Sequence, residues 1–132
     1  MNVLFFLKPK PLIVYLSSDS SMRQALEVMK NSKYTNLPVI NNDGEFLYTL
    51  SESDILFQVL HDNDFSMRRS EKIMINDLDR IKKYKTISIN NNMEDLMELA
   101  IEQNYVPVVD DRNKFIGIIT RRAIIEYYSK LK

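Results

Sequence analysis

The chain has no cysteine and no tryptophan, one histidine and only two glycines. Without cysteine there is no disulfide, no thiolate metal site and no thiol nucleophile, and a reducing, cytoplasmic location is compatible with that lack. A lone His61 excludes paired-histidine metal motifs and reads as a helix-end residue without a special role. Gly44 and Gly117 are too few and too far apart for a glycine-rich phosphate loop. No apolar run approaches the roughly 20 residues that span a bilayer. The opening MNVLFFLKPK has its lysines after its apolar stretch rather than before it, so it reads as a strand or docking segment and not as a signal peptide. Formal net charge is zero, from 18 basic and 18 acidic side chains, which gives bulk electrostatics no case for nucleic acid. Acids outnumber bases in the first half of the chain and bases outnumber acids in the second. Neither an activated nucleophile nor a metal cluster is recognisable, so the chain is not expected to be an enzyme or to require a cofactor.

What is present is folded, globular material. A chain of 132 residues, 45% hydrophobic and 27% charged, suits one domain or two small halves sharing a core. An internal repeat decides between these. NLPVINNDGEFLYTLSESDILFQVL, from Asn36, aligns without a gap on YVPVVDDRNKFIGIITRRAIIEYYS, from Tyr105. Pro38 falls on Pro107, Val39 on Val108, Phe46 on Phe115, Ser51 on Thr120 and Ile55 on Ile124. Upstream, SSMRQALEVM matches NNMEDLMELA with Met22 on Met93. Such self-similarity marks duplicated units that bury their apolar faces together.

Each copy predicts the same elements. Met22, Ala25, Leu26 and Met29 form a helical stripe, repeated by Met93, Leu96, Met97 and Ala100. Polar Ser20-Ser21 and Asn90 to Asn92 stand before these helices as caps. Two short strands follow, Leu37 to Ile40 and Phe46 to Leu50 in the first copy, joined by the turn-forming NNDG; DDRN joins them in the second. A second helix opens at Ser51 or Thr120, with Ile55, Leu56, Val59 and Leu60 as the expected buried face. Short leading strands are expected at Ile13 to Leu16 and Thr86 to Ile89. The fold class is α+β, two β-α-β-β-α repeats packed with pseudo-two-fold symmetry and a cleft between them. Residues 1–61 hold the N-terminal segment and first repeat, 62–84 a polar linker with a short helix around Ile73 to Leu78, and 85–132 the second repeat.

LPVINNDGEFLYTLSESDIL and VPVVDDRNKFIGIITRRAII resemble the CBS domain, whose signature is a Pro-Val strand, a hairpin and a Gly-x-x-Thr/Ser-x-x-Asp corner opening a helix. The tandem pair is similar to a standalone Bateman module over nearly the whole chain, about Leu12 to Leu131. The resemblance implies a non-catalytic regulatory module that takes adenosine ligands (AMP, ADP, ATP, S-adenosylmethionine or cyclic di-AMP) in clefts between the repeats. It also implies a homodimer and a regulated partner protein that the sequence does not identify. The Thr-Arg-Arg corner is similar to that of small bacterial CBS pairs that bind cyclic di-AMP.

The resemblance assigns Asp54 to the ribose hydroxyls and Ser51 to phosphate. Ser51-x-x-Asp54 reads equally as a capping box that satisfies the helix's own N–H groups. Tyr48 stands where the family has glycine, so its ring either stacks on a base or fills the site. The second copy keeps Gly117 and Thr120 but has Ala123 for the aspartate. It offers instead Arg121 and Arg122 on the first helical turn, where cations are unfavourable for the helix itself and anions are attracted. Phosphate binding is one use for them; pointing to water or pairing with acids is the other. Thr35, Asn36 and Leu37, with Asn104, Tyr105 and Val106, would by resemblance offer backbone groups and an apolar wall to adenine, or are plain strand starts. Tyr34 and Tyr105 are either stacking partners or core tyrosines. MRRSEK and RIKKYK read as solvated linker that is also suited to docking a partner. The competing function is a degenerate pair acting only in dimerisation or protein interaction.

Overall fold

Both copies fold in the order that their apolar spacing predicts. In the computed structural model, which describes residues 1–131, a short strand β1 (Lys8–Pro9) precedes the first repeat. That repeat comprises β2 (Leu16–Ser17), α1 (Met22–Ser32), β3 (Asn36–Ile40), β4 (Phe46–Ser51) and α2 (Glu52–His61). The second comprises β5 (Ile87–Ser88), α3 (Met93–Glu102), β6 (Tyr105–Val109), β7 (Phe115–Thr120) and α4 (Arg121–Ser129). One sheet has the order β2-β3-β4 and the other β1-β7-β6-β5. In each, the leading strand pairs parallel with the strand after the first helix, Leu16 opposite Val39 and Ile87 opposite Val108. A helix between the two strands is what a parallel connection requires.

Local chemistry sets the helix starts. Ser21 and Gln24, Ser51 and Asp54, and Asn92 and Asp95 each form a reciprocal capping box at the heads of α1, α2 and α3. α4 has only the first half of this device: Thr120 accepts from the Ala123 N–H, and alanine returns nothing.

The chain divides into two compact units, each assembled from separate stretches. One consists of Val14–Asp43 and Leu47–Lys83, with a core that includes Leu16, Met22, Met29, Leu37, Leu50 and Ile55. The other consists of Met1–Ile13, Gly44–Phe46 and the chain from Tyr84 onward, with a core that includes Val3, Ile87, Leu96, Val106, Ile119 and Ile124. The N-terminal segment therefore packs with the second repeat, not with the first that it precedes. A one-turn 3₁₀ helix, Val3–Phe6, lays Phe6 against Tyr127, and β1 pairs antiparallel with β7.

Several local expectations change in the structure. The leading strands shrink to two residues each, Leu16–Ser17 and Ile87–Ser88, and the polar Ser88-Asn91 turn ends the second. On α2, Ile55 is buried and Val59 packs beside it, but Leu56 and Leu60 are 56% and 64% exposed. Successive helical residues turn by about 100°, so this pair lies well round the helix from the arc that Ile55 and Val59 place on the core. On α3 the stripe rotates towards Leu99, leaving Met97 at its exposed edge. The linker helix is a single 3₁₀ turn, Ile75–Asp77, preceded by another at Arg69–Glu71. It is not merely polar: Ile75 is 0% exposed and Leu78 is buried in the first repeat's core.

Candidate functional site

At the first corner, β4 runs into α2 through Ser51. Its hydroxyl accepts from the Asp54 N–H at 3.2 Å, and Asp54 Oδ2 accepts from the Ser51 N–H at 2.9 Å. The other carboxylate oxygen, Oδ1, accepts from the Ile81 N–H at 2.9 Å, a partner 27 positions along the chain. Asp54 is 3% exposed. The capping-box reading of Ser51 and Asp54 is thus realised, with a linker contact added to it. The Glu52 N–H donates to the Thr35 carbonyl at 2.8 Å, tying the approach to β3 to the head of α2. Thr35 is exposed and takes the Asn36 amide on its hydroxyl, whereas Leu37 is core.

Tyr48 lies in the same unit. The Arg80 guanidinium sits 3.9 Å above the centre of its ring, and its hydroxyl donates to Asn76 Oδ1. Burial pushes the Tyr48 phenol up to about 12; Arg80 opposes this, and Asp77 and Asp54 add to it. A cation over an aromatic face is a favourable electrostatic contact. Of the two readings of Tyr48, its ring face is therefore covered, and by the chain itself.

At the second corner, β7 runs into α4 through Thr120, and the Arg121 N–H donates to the Asn104 carbonyl at 2.9 Å, repeating the Glu52–Thr35 tie. The two arginines separate. Arg121 turns back on α3, donating from Nε to the Ala100 carbonyl at 2.8 Å and from Nη2 to the Ile101 carbonyl at 3.2 Å. The last turn of α3 has no basic residue of its own, so Arg121 supplies donors and positive charge where carbonyls stand without helical partners. Expected as a phosphate ligand, it serves here as a cap on a neighbouring helix. Arg122 lies along α4 in a 2.6 Å ion pair with Glu126, its side chain 87% exposed. That contact raises the arginine pKa and lowers the glutamate's.

Gly117 has a steric role. A Cβ at this position would stand 2.3 Å from the Lys8 carbonyl oxygen and 2.9 Å from a Leu7 methyl, so only glycine admits β1 beside β7. Tyr105 and Val106 are buried, and the Tyr105 ring lies 5.0 Å from that of Tyr84, whose phenol is raised by burial. Gln103, absent from the sequence-based candidates, joins the chain before β5 to β6. Its side chain exchanges two hydrogen bonds with the Lys85 backbone and donates to the Tyr105 carbonyl. Asn76 and Arg80 were likewise not anticipated, because they meet Tyr48 only through folding of the linker. Among the described residues no three acidic or histidine side chains gather as a metal site would need, and no helix is long and apolar enough to cross a membrane.

Residues 9–61 and 73–130 each match the sequence profile of the CBS domain. The chain belongs to the CBS-domain family. It is 27% identical to an uncharacterized protein of Methanocaldococcus jannaschii, over 89% of this chain and 85% of that one. An inosine-5'-monophosphate dehydrogenase of the same organism is 26% identical, over 86% of this chain but only 21% of the enzyme. Among solved structures, this CBS pair superimposes on the Listeria monocytogenes CbpB protein in complex with c-di-AMP with a TM-score of 0.82 and 20% identity, covering 95% and 92% of the two chains. It superimposes on CBSX2 in complex with AMP with a TM-score of 0.77 and 24% identity, covering 98% and 97%. At these identities the superpositions establish the fold.

Proposed function

We propose that this CBS pair is a non-catalytic regulatory module of the cytoplasm that binds an adenine nucleotide at its strand-to-helix corners and transmits the bound state to a partner protein. The observation that carries this reading is the second corner. There, Arg122 stands on the first turn of α4, in an ion pair with the half-exposed Glu126 that a phosphate can displace. The family and the shared fold with proteins solved with AMP and c-di-AMP support adenosine as the ligand class. Binding would act by differential affinity for two states of the module.

The test is a thermal-shift panel of AMP, ADP, ATP, S-adenosylmethionine and cyclic di-AMP, followed by calorimetry on Arg122→Ala. One ligand at about 100 times its Kd should stabilise the protein by roughly 2.7 kcal/mol. Loss of Arg122 should weaken that ligand at least tenfold. A flat panel would overturn the reading.

A second reading, dimerisation without a ligand, is favoured by a different observation. α2 exposes Leu56, Phe57 and Leu60, and α4 exposes Ile125 and Tyr128. Such faces suit a second copy of the chain. A dimer that ignores every nucleotide in the panel would establish this reading over the first.

A further inference from the structure

The first corner holds groups suited to a nucleoside: a carboxylate, a phenol hydroxyl and an aromatic face. Each of them is already engaged by one short piece of the same chain, Asn76 to Ile81. Asn76 takes the Tyr48 hydroxyl, Arg80 covers the Tyr48 ring, and the Ile81 N–H occupies Asp54 Oδ1. Asp54 Oδ2 is held by the Ser51 N–H.

The segment has a fixed root and a loose tip. Ile75 and Leu78 anchor it in the core, whereas Arg80 to Lys83 are exposed and form no helix or strand. At the tip the Arg80 guanidinium lies on a ring face and the Ile81 N–H is held by a carboxylate, and both can be released without uncovering Ile75 or Leu78.

The repeat shows why only this corner is built so. Tyr48 aligns with Gly117. In the second repeat the bare glycine lets the backbone of Leu7–Pro9 approach directly and pair as a strand. A ring at the matching position in the first repeat instead presents a flat face, on which a guanidinium stacks as a base would.

We propose that Asn76–Ile81 is a built-in strap that stands in for a nucleoside at the first corner, with Arg80 on the base-stacking face, so that the wild-type chain takes nucleotide at the second corner alone until the strap lifts. The proposal rests on the nucleotide-binding reading above and adds its regulation. A binding-competent first corner exists only in the strap-open fraction, which lowers its apparent affinity by that fraction. A partner that grips the exposed tip would open it.

The experiment is calorimetry of AMP binding to the full chain, as wild type, Arg80→Ala and Asn76→Ala, with amide exchange at Ile81 measured in parallel. The wild type should bind one AMP per chain. Either substitution should bring in a second AMP, or tighten a weak second site at least tenfold, and should speed exchange at Ile81 while the Ser51 and Asp54 amides stay protected. Two equal sites in the wild type, or one site in all three proteins, would overturn the strap and leave nucleotide binding intact. Fast exchange at Ile81 in the wild type would do the same. No AMP bound by any of the three would overturn the strap, and only together with a flat ligand panel would it overturn the nucleotide reading as well.

Discussion

Arg121 and Arg122 are neighbours in the chain whose surroundings call for different outcomes when each is removed. Arg121→Ala withdraws the donors from the Ala100 and Ile101 carbonyls at the end of α3. Losing hydrogen bonds from a charged donor should cost about 1–2 kcal/mol, read as a lower urea midpoint at unchanged slope. Arg122→Ala removes only a solvated i,i+4 pair and should leave that midpoint where it is while weakening nucleotide binding. Gly117→Ala belongs with the first: its Cβ would meet the Lys8 carbonyl, a backbone atom that moves only with β1, and overpacking of this kind costs about 1–3 kcal/mol. Tyr48 gives a pH dependence. Its phenol is raised from 10.0 to about 12 in the folded chain, so between those values the unfolded chain has lost a proton that the folded chain keeps. The stability tied to Tyr48 is therefore whole below pH 10.0 and falls as pH rises towards about 12. Urea midpoints measured either side of pH 10.0 should drop more steeply for the wild type than for Tyr48→Phe.

Helices and strands were legible where their cause is local. Ser51 and Asp54 are three residues apart, the polar caps Ser21 and Asn92 stand directly before their helices, and the stripes of α1 and α3 repeat within one helix, so pattern suffices to start these helices; that Gln24 and Asp95 complete capping boxes is added by the structure. What the pattern missed is decided at long range. The sequence has nothing near Asp54 to announce that Ile81 will donate to it, nor near Tyr48 to announce Arg80. For the same reason Ser51 and Asp54 are legible as a pair, while Ile81, Asn76 and Arg80 are not legible as neighbours of this corner. By sequence the segment 62–84 reads as a polar linker with a short helix around Ile73 to Leu78. Yet Ile75 and Leu78, three apart, suffice to seat it in a core, and backbone bonds from Met22 to Ile73 and from Ile75 to Ser20 fix it against α1. Ile75→Ala should therefore behave as a core truncation, costing about 2–5 kcal/mol in chemical denaturation, where a true linker position would be neutral.

At the scale of the whole molecule, the apolar faces left over by folding point to association. α2 carries more apolar residues than its buried arc can use: Ile55 and Val59 meet the core, and Leu56, Phe57 and Leu60 face outward. α4 repeats the surplus with Ile125 and Tyr128 while Ile124 is buried. Matching surplus on the matching helix of each repeat is not the scatter of single exposed apolar residues that any surface shows. We propose that a second copy meets these faces with its own, as a two-fold dimer requires. Light scattering at micromolar concentration should give twice the chain mass for the wild type and the single chain mass for the double variant Leu60→Asp, Ile125→Asp. Because both side chains are already solvated, the variant's circular dichroism and urea midpoint at low protein concentration should match those of the wild type. A wild type that runs as a monomer, or a double variant that stays dimeric, would mean that these faces serve some other partner. Nucleotide binding measured on the monomeric variant then separates the two roles: affinity retained in the monomer places the ligand site within one chain, and affinity lost with the dimer makes association part of the sensor.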